Sequence, residues 1–294
     1  MHRFILHNDE IREASEAVFS AGQTGLLSGW GVFSTLRVIE GVPFAFEKHW
    51  ARMQGDARAL RVPFPSDPDA IRSRLLELVE RNAAFDAVMR IAVVRNRGGL
   101  WQGPETGRDY DIVAMTTAQP VHHRGVQLAL RANARHAAGP FHGTKMLAWA
   151  VNAALFEGVQ IEGFDEAILL NERGEVAECT SANVFAACGN RVRTPPLESG
   201  CLPGVTREIL LHEIAAEGFA VEEKTLYPGD LDAADEVFIT STTRALLPVL
   251  EIEGKSMAQR GDARRALQRE FDLYTGRYVA LHKGTRSTDR LTLS

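Results

Sequence analysis

The chain contains no apolar run long enough to cross a bilayer, and its opening stretch, MHRFILHNDEIREASEAVF, is broken early by Asn8, Asp9 and Glu10. A soluble, unexported protein is expected. Cysteine is scarce: Cys179, Cys188 and Cys201 form an odd set that fits neither a CxxC pair nor a zinc-finger framework, and reads as reduced thiols of a cytoplasmic protein. There is no GxGxxG after a strand, no GxxxxGK[ST] and no HExxH, which removes the dinucleotide, P-loop and zinc-protease readings. Basic charge is also short, with 33 Lys and Arg against 38 Asp and Glu and a formal net charge of −5. A pI near 6.0 gives no electrostatic case for nucleic acid or a membrane surface, and leaves small metabolites as the expected partners. His122 and His123 are adjacent, so on extended backbone they point to opposite faces and make a poor metal pair.

What is present is ordinary globular material: 294 residues, 45% hydrophobic and 24% charged, enough for one large domain or two modest ones. GWGVFSTLRVIEGVPFAFEKHWARM reads as strand, turn at Glu40-Gly41, strand, then a helix from about Glu47. A second helix is expected over DPDAIRSRLLELVERNA, opened by Asp67 and Pro68, with strands VMRIAVVRN and DYDIVAMTTA after it. QPVHHRGVQ has the composition of a connection, which sets a boundary near Pro120 between an N-terminal domain, 1–120, and a C-terminal domain, 121–294. The second half is expected to run strand VQLALRA, helix MLAWAVNAALFEGVQ, hairpin EAILLNERGEVAE, strand NVFAACGNRVRT, helix VTREILLHEIAAEG, then strands DEVFITS and LLPVLEIEG. So many adjacent hairpin strands point to a mixed α+β fold and not a doubly wound one.

Three features carry chemistry. Lys145 stands before an almost wholly apolar segment, where it is either a stem reaching solvent or a partly desolvated nucleophile. Glu178, in GEVAECTSANVF, lies on a strand whose alternation gives no reason to bury it. Pro203-Gly204-Val205-Thr206 leads into an amphipathic helix, and reads as an ordinary cap or as a cup for a phosphate group, where backbone N–H groups, helix dipole and hydroxyl converge. Together they match what pyridoxal 5'-phosphate requires: an amine for its aldehyde, an acid for its pyridine nitrogen and donors for its phosphate.

The motifs resemble those of the class IV aminotransferases, the fold-type IV pyridoxal-phosphate enzymes that include branched-chain and D-amino-acid aminotransferases and aminodeoxychorismate lyases. HWAR is similar to the family's His-x-x-Arg helix, ECTSANVF to its acid-bearing strand, PGVTRE to its phosphate turn, and FITSTTRALLPVLEIEG to its second phosphate-contacting loop. The resemblance covers nearly the whole chain. It implies that Lys145 forms an imine with the cofactor and moves the substrate's α proton, and that Glu178 faces the ring nitrogen. It implies further that Arg52, Gly204, Val205, Thr206, Ser241 and Thr242 hold the phosphate. It also implies a smaller N-terminal and a larger C-terminal domain with the cofactor in the cleft, and a homodimer.

Departures bear on substrate. Trp149 and Ala150 stand where branched-chain enzymes carry an aromatic that touches the ring hydroxyl, and Phe33-Ser34 follows GWG where many members have an aromatic and then glutamate. Phe33 with Arg95 and Arg97, in VVRNRGGLW, are the candidate substrate contacts, the arginines as cations for a carboxylate. The expected reaction is amino transfer between an aliphatic amino acid, branched-chain or D-, and a 2-oxo acid. The alternatives are a 4-amino-4-deoxychorismate lyase releasing pyruvate and 4-aminobenzoate, and a non-catalytic protein that binds the cofactor.

Overall fold

The computed structural model describes residues 1–283 apart from 18, 21, 99, 101–106 and 122–124, so the His122-His123 pair lies outside the described residues. The described chain clusters into two compact units. The first is built on residues 1–120, and takes in Lys145–Trp149 and the described residues from Thr275 onward; the second holds Val121–Thr144 and Ala150–Tyr274.

In the first unit the strands are β1 (Phe4–His7), β2 (Glu10–Glu13), β3 (Gly31–Ile39), β4 (Val42–Pro43), β5 (Ala87–Arg95) and β6 (Tyr110–Ala118). They form one antiparallel sheet in the order β2-β1-β6-β5-β3-β4. Period-two alternation sends Val32, Leu36 and Val38 of β3, with Met89, Ile91 and Val93 of β5, into a core. Helices α1 (Thr24–Ser28), α2 (Phe46–Ala59) and α3 (Pro68–Arg81) belong to the same unit. α2 covers the core with Phe46, Trp50, Met53 and Ala57, and α3 with Leu75, Leu78 and Val79. α3 starts as its sequence suggests: Asp67 caps it, accepting from the N–H groups of Asp69 and Ala70 at 3.0 Å, with Pro68 in the first turn.

The second unit contains β7 (Val126–Arg131), β8 (Glu166–Leu170), β9 (Val176–Cys179), β10 (Asn183–Cys188), β11 (Arg191–Thr194), β12 (Ala220–Glu223), β13 (Glu236–Ser241), β14 (Ala245–Ile252) and β15 (Lys255–Ser256). They form a mixed sheet in the order β12-β11-β10-β13-β14-β7-β8-β9, with β15 on β14. Its helices are α4 (Ala150–Ile161), α5 (Val205–His212), α6 (Pro228–Asp232) and the part of α7 (Asp262–Lys283) up to Tyr274. One core lies among Val126, Leu128, Ile168, Val184, Val237 and Ile239, while Phe185 and Phe238 stack with centroids 5.2 Å apart.

Three expectations change. NVFAACGNRVRT is two strands and not one: the chain reverses at Gly189, which takes φ 58°, and β10 pairs antiparallel with β11. The helix expected from Met146 begins only at Ala150, because Lys145–Leu147 is extended against β3. The helix after Gly204 ends at His212, well short of Gly218.

The Lys145 segment is held by Phe33 N–H donating to the Lys145 carbonyl at 3.1 Å and Leu147 N–H donating to the Gly31 carbonyl at 2.9 Å. β4 pairs only with Val38 and Ile39, so this end of β3 has an edge to offer. Gly31 makes the approach possible, since a Cβ there would lie 2.5 Å from both Leu147 Cδ1 and the Val93 carbonyl oxygen. The Val93 oxygen is backbone and cannot swing aside. Gly31→Ala is therefore expected to lower stability by about 1–3 kcal/mol, read by denaturant unfolding. A variant as stable as the parent would show that the segment does not need this close approach.

Candidate active site

In the first unit the candidate side chains hang on β3 and α2. Residues 49, 52 and 56 follow i, i+3, i+7 spacing, so α2 carries a polar stripe of His49, Arg52 and Asp56 beside its apolar one. Ser34 lies on the core face of β3, fully buried between Val32 and Leu36. Its hydroxyl accepts from Arg52 Nη2 at 2.8 Å and lies 2.8 Å from His49 Nδ1. His49 is buried and pushed well below its ordinary value, first by that burial and then by the charges of Arg52 and Lys145, so it is neutral near pH 7. Asp56 is also buried, and its Oδ2 accepts the Lys145 backbone N–H at 3.2 Å. Burial pushes its carboxyl up, against that hydrogen bond and the charges of Arg52 and Lys145.

Lys145 is half-buried, and its Nζ lies 4.7 Å from the centre of the Phe33 ring. The Arg90 guanidinium carbon lies 4.4 Å from the centre of the same ring. Arg95 and Arg97 are engaged elsewhere. Arg95 stacks on Trp30 at 4.2 Å and donates to the carbonyls of Arg61 and Arg97, while Arg97 pairs with Asp109 at 3.0 Å. The cation that shares Phe33 with Lys145 is thus Arg90, which sequence reasoning missed: a charged residue inside an apolar strand reads as an outward-facing one.

In the second unit Glu178 is buried, contrary to the expectation from strand alternation, because every residue of β9 is enclosed. Its Oε1 accepts from Arg135 Nε at 2.9 Å and its Oε2 from the Leu202 N–H at 3.0 Å. Arg135 is itself fixed by Asn152 Oδ1 at 3.1 Å, and Asn152 donates to the Thr180 carbonyl at 2.9 Å. Nothing in the sequence marks Arg135 or Asn152, since their roles depend on contacts far along the chain. A carboxylate has about four acceptor sites, so two donors leave room for another.

The Leu202 peptide is gripped from both sides, because its carbonyl accepts from Asn183 Nδ2 at 2.9 Å. Two residues on, Gly204 lies so close to Asn183 that a Cβ would stand 2.1 Å from its Oδ1. Gly204 caps α5 with no side-chain hydrogen bond, leaving the first turn, Val205 and Thr206 included, without a side-chain acceptor. Thr240, paired in register with Asn183, has a buried hydroxyl with no hydrogen-bond partner among the described residues. Ser241 follows at the end of β13, its Oγ 3.4 Å from Thr243 Oγ1, and Thr242 is half-buried. Arg244 donates to Glu166 Oε2 at 2.8 Å, and Glu166 also accepts from Ser181 at 2.6 Å, tying the loop after β13 to the ECTSAN segment.

The grip on Leu202 makes a definite prediction. Asn183→Ala and Gly204→Ala should each destabilise, the first by about 0.5–1.5 kcal/mol for one lost hydrogen bond, since the Leu202 carbonyl still accepts from Gly204 N–H at 2.8 Å. The double variant should lose less than the sum, because removing the amide clears the space the new Cβ needs. Additive losses in unfolding free energy would show that the two positions do not touch functionally.

A family model described as amino-transferase class IV matches residues 31–252. A D-alanine aminotransferase of Bacillus licheniformis is 28% identical over 257 residues, covering 86% of this chain and 89% of that protein. An aminodeoxychorismate lyase of Bacillus subtilis is 28% identical over 269 residues, covering 89% and 91%. The crystal structure of a branched-chain aminotransferase from the thermophilic archaeon Thermoproteus uzoniensis with norvaline superposes with a TM-score of 0.85 at 23% identity, over 95% of this chain and 98% of that one.

Proposed function

Because this chain belongs to the class IV aminotransferase family, with the fold-type IV α+β architecture, we propose that it transfers an amino group between an aliphatic amino acid, branched-chain or D-, and a 2-oxo acid, with pyridoxal 5'-phosphate as cofactor. The observation that carries the reading is the half-buried Lys145 amine over Phe33, on the same ring as a second cation, Arg90. The residues fit the cofactor. A primary amine, a buried carboxylate with acceptor sites to spare, an uncapped helix N-terminus and an unpartnered buried hydroxyl at Thr240 are the groups it requires.

When bound, the cofactor supplies an aldehyde that condenses with amines and a ring that accepts the electrons released at the substrate's α carbon. Lys145 Nζ is the amine that takes the α proton and returns it. Glu178, oriented by Arg135 and the Leu202 N–H, keeps a proton on the ring nitrogen. Arg52, the N–H groups of Val205 and Thr206 that follow Gly204, whose own N–H donates to the Leu202 carbonyl at 2.8 Å, the Thr206 hydroxyl, and Ser241 with Thr242 hold the phosphate. Phe33 and Arg90 receive the substrate, Arg90 through its carboxylate, in place of Arg95 and Arg97. A homodimer is part of the proposal, supported by α4, an apolar helix with only Val159 buried and with Val151 and Ile161 exposed. So is a cytoplasmic location, supported by three unpaired cysteines.

The Bacillus subtilis relative favours one alternative, a lyase that uses the same lysine without an amino acceptor. A half-reaction screen of L- and D-amino acids, followed by the change in cofactor absorption, should find an aliphatic donor. Pyruvate formed from 4-amino-4-deoxychorismate with no 2-oxo acid present would replace the transferase reading by the lyase. Arg52→Ala should weaken cofactor binding roughly ten- to a hundredfold, for a charge-assisted bond worth about 1.5–3 kcal/mol. Equilibrium dialysis giving the wild-type dissociation constant would remove Arg52 from the phosphate site.

A further inference from the structure

We propose that Asp56 is a positioning residue for Lys145, holding its backbone and setting through its charge the pH at which the amine becomes reactive. This rests on the reading of Lys145 as the amine that condenses with the cofactor. Position 56 belongs to the inward side of α2, next to Ala57 and one turn after Met53, where an apolar side chain would be the ordinary occupant. An acid there is buried at 6% exposure, a costly choice unless its charge is used. Its visible partner is the peptide of Lys145 itself, whose N–H it accepts at 3.2 Å, while the Lys145 carbonyl accepts from Phe33 N–H on the other side. Asp56 and β3 thus hold the lysine's peptide from both directions.

The charged groups acting on Asp56 are Arg52 from its own helix and Lys145 from the extended segment; His49, two turns earlier, is neutral. An anion beside an ammonium favours the charged form of the amine. Asparagine keeps an acceptor for the Lys145 N–H but removes the charge, so the amine should lose its proton at lower pH. The stability effect has its own sign. Burial raises the folded-state value of Asp56 above the unfolded one, so its contribution is full below the ordinary carboxylate range and is lost as pH rises through the raised value. Near neutral pH, Asp56→Asn should therefore be at least as stable as wild type.

The test uses the full chain with added pyridoxal phosphate, reduced with borohydride across a pH series, with label at Lys145 counted by peptide mass spectrometry. Asp56→Asn should move the half-labelling point to lower pH by a few tenths of a unit to about one unit. It should also unfold at the same temperature as wild type or higher at neutral pH. Asp56→Ser, which keeps a small acceptor without charge, should show the same direction of shift. A profile in either uncharged variant that coincides with wild type overturns the proposal while leaving Lys145 as the reacting amine. No label at Lys145 in wild type at any pH overturns that reading, and the proposal with it.

Discussion

Two backbone hydrogen bonds, from Phe33 N–H to the Lys145 carbonyl and from Leu147 N–H to the Gly31 carbonyl, hold Lys145 against β3. A lysine on a helix surface has a long flexible stem and full hydration, and neither suits a nucleophile. Pairing the segment with β3 makes position 145 part of a sheet edge, and the alternation of β3 puts the Phe33 ring under the amine. The edge exists because β4 is two residues long and leaves the Gly31–Phe33 end of its neighbour unpaired on that side. Gly31 suits the place because a Cβ there would lie 2.5 Å from the Val93 carbonyl oxygen of β5 and from Leu147 Cδ1 of the segment. A short strand and a missing Cβ thus shape the site as directly as any charged group.

The second unit uses the same device, a peptide seized at both ends. Glu178 takes the Leu202 N–H and Asn183 donates to the Leu202 carbonyl, so the strand motif and the turn motif are two halves of one contact. Displacing the turn would free a buried carboxylate oxygen and a buried amide at once. Buried polar groups left unpaired cost about 1–3 kcal/mol each. That penalty holds the uncapped start of α5 to the strand bearing the acid more firmly than packing of the small residues there would.

Much of this was legible in the sequence, and the parts that were not share a cause. The α+β class, the Asp67 cap, the Glu40-Gly41 turn and the residue types of the site follow from local patterns, and local patterns were present. The start of α4 was misread because Met146, Leu147 and Trp149 continue its apolar composition, while the bonds that keep them extended come from residues more than a hundred positions away. The burial of Glu178 could not be read from alternation, since a strand enclosed on both sides has none. Arg135 and Asn152 gave no signal because the partners that define their roles, Glu178 and Thr180, lie far along the chain. Asp56 did give one: a carboxylate in phase with the stripe of a helix that otherwise packs Phe46, Trp50, Met53 and Ala57 inward.

The polar stripe of α2 shows how burial and charge divide the work in the first unit. Burial leads at both titratable members that shift: it pushes His49 down together with the charges of Arg52 and Lys145, and pushes Asp56 up against those same charges. A neutral His49 adds no third cation next to Arg52 and Lys145. Its Nδ1 and Arg52 Nη2 meet at one hydroxyl, Ser34 Oγ, which has two lone pairs and one proton and can serve both. His49 Nε2 is buried without a hydrogen-bond partner among the described residues. The helix therefore presents Arg52 beside a neutral His49, and its guanidinium keeps the charge that an anionic phosphate would seek.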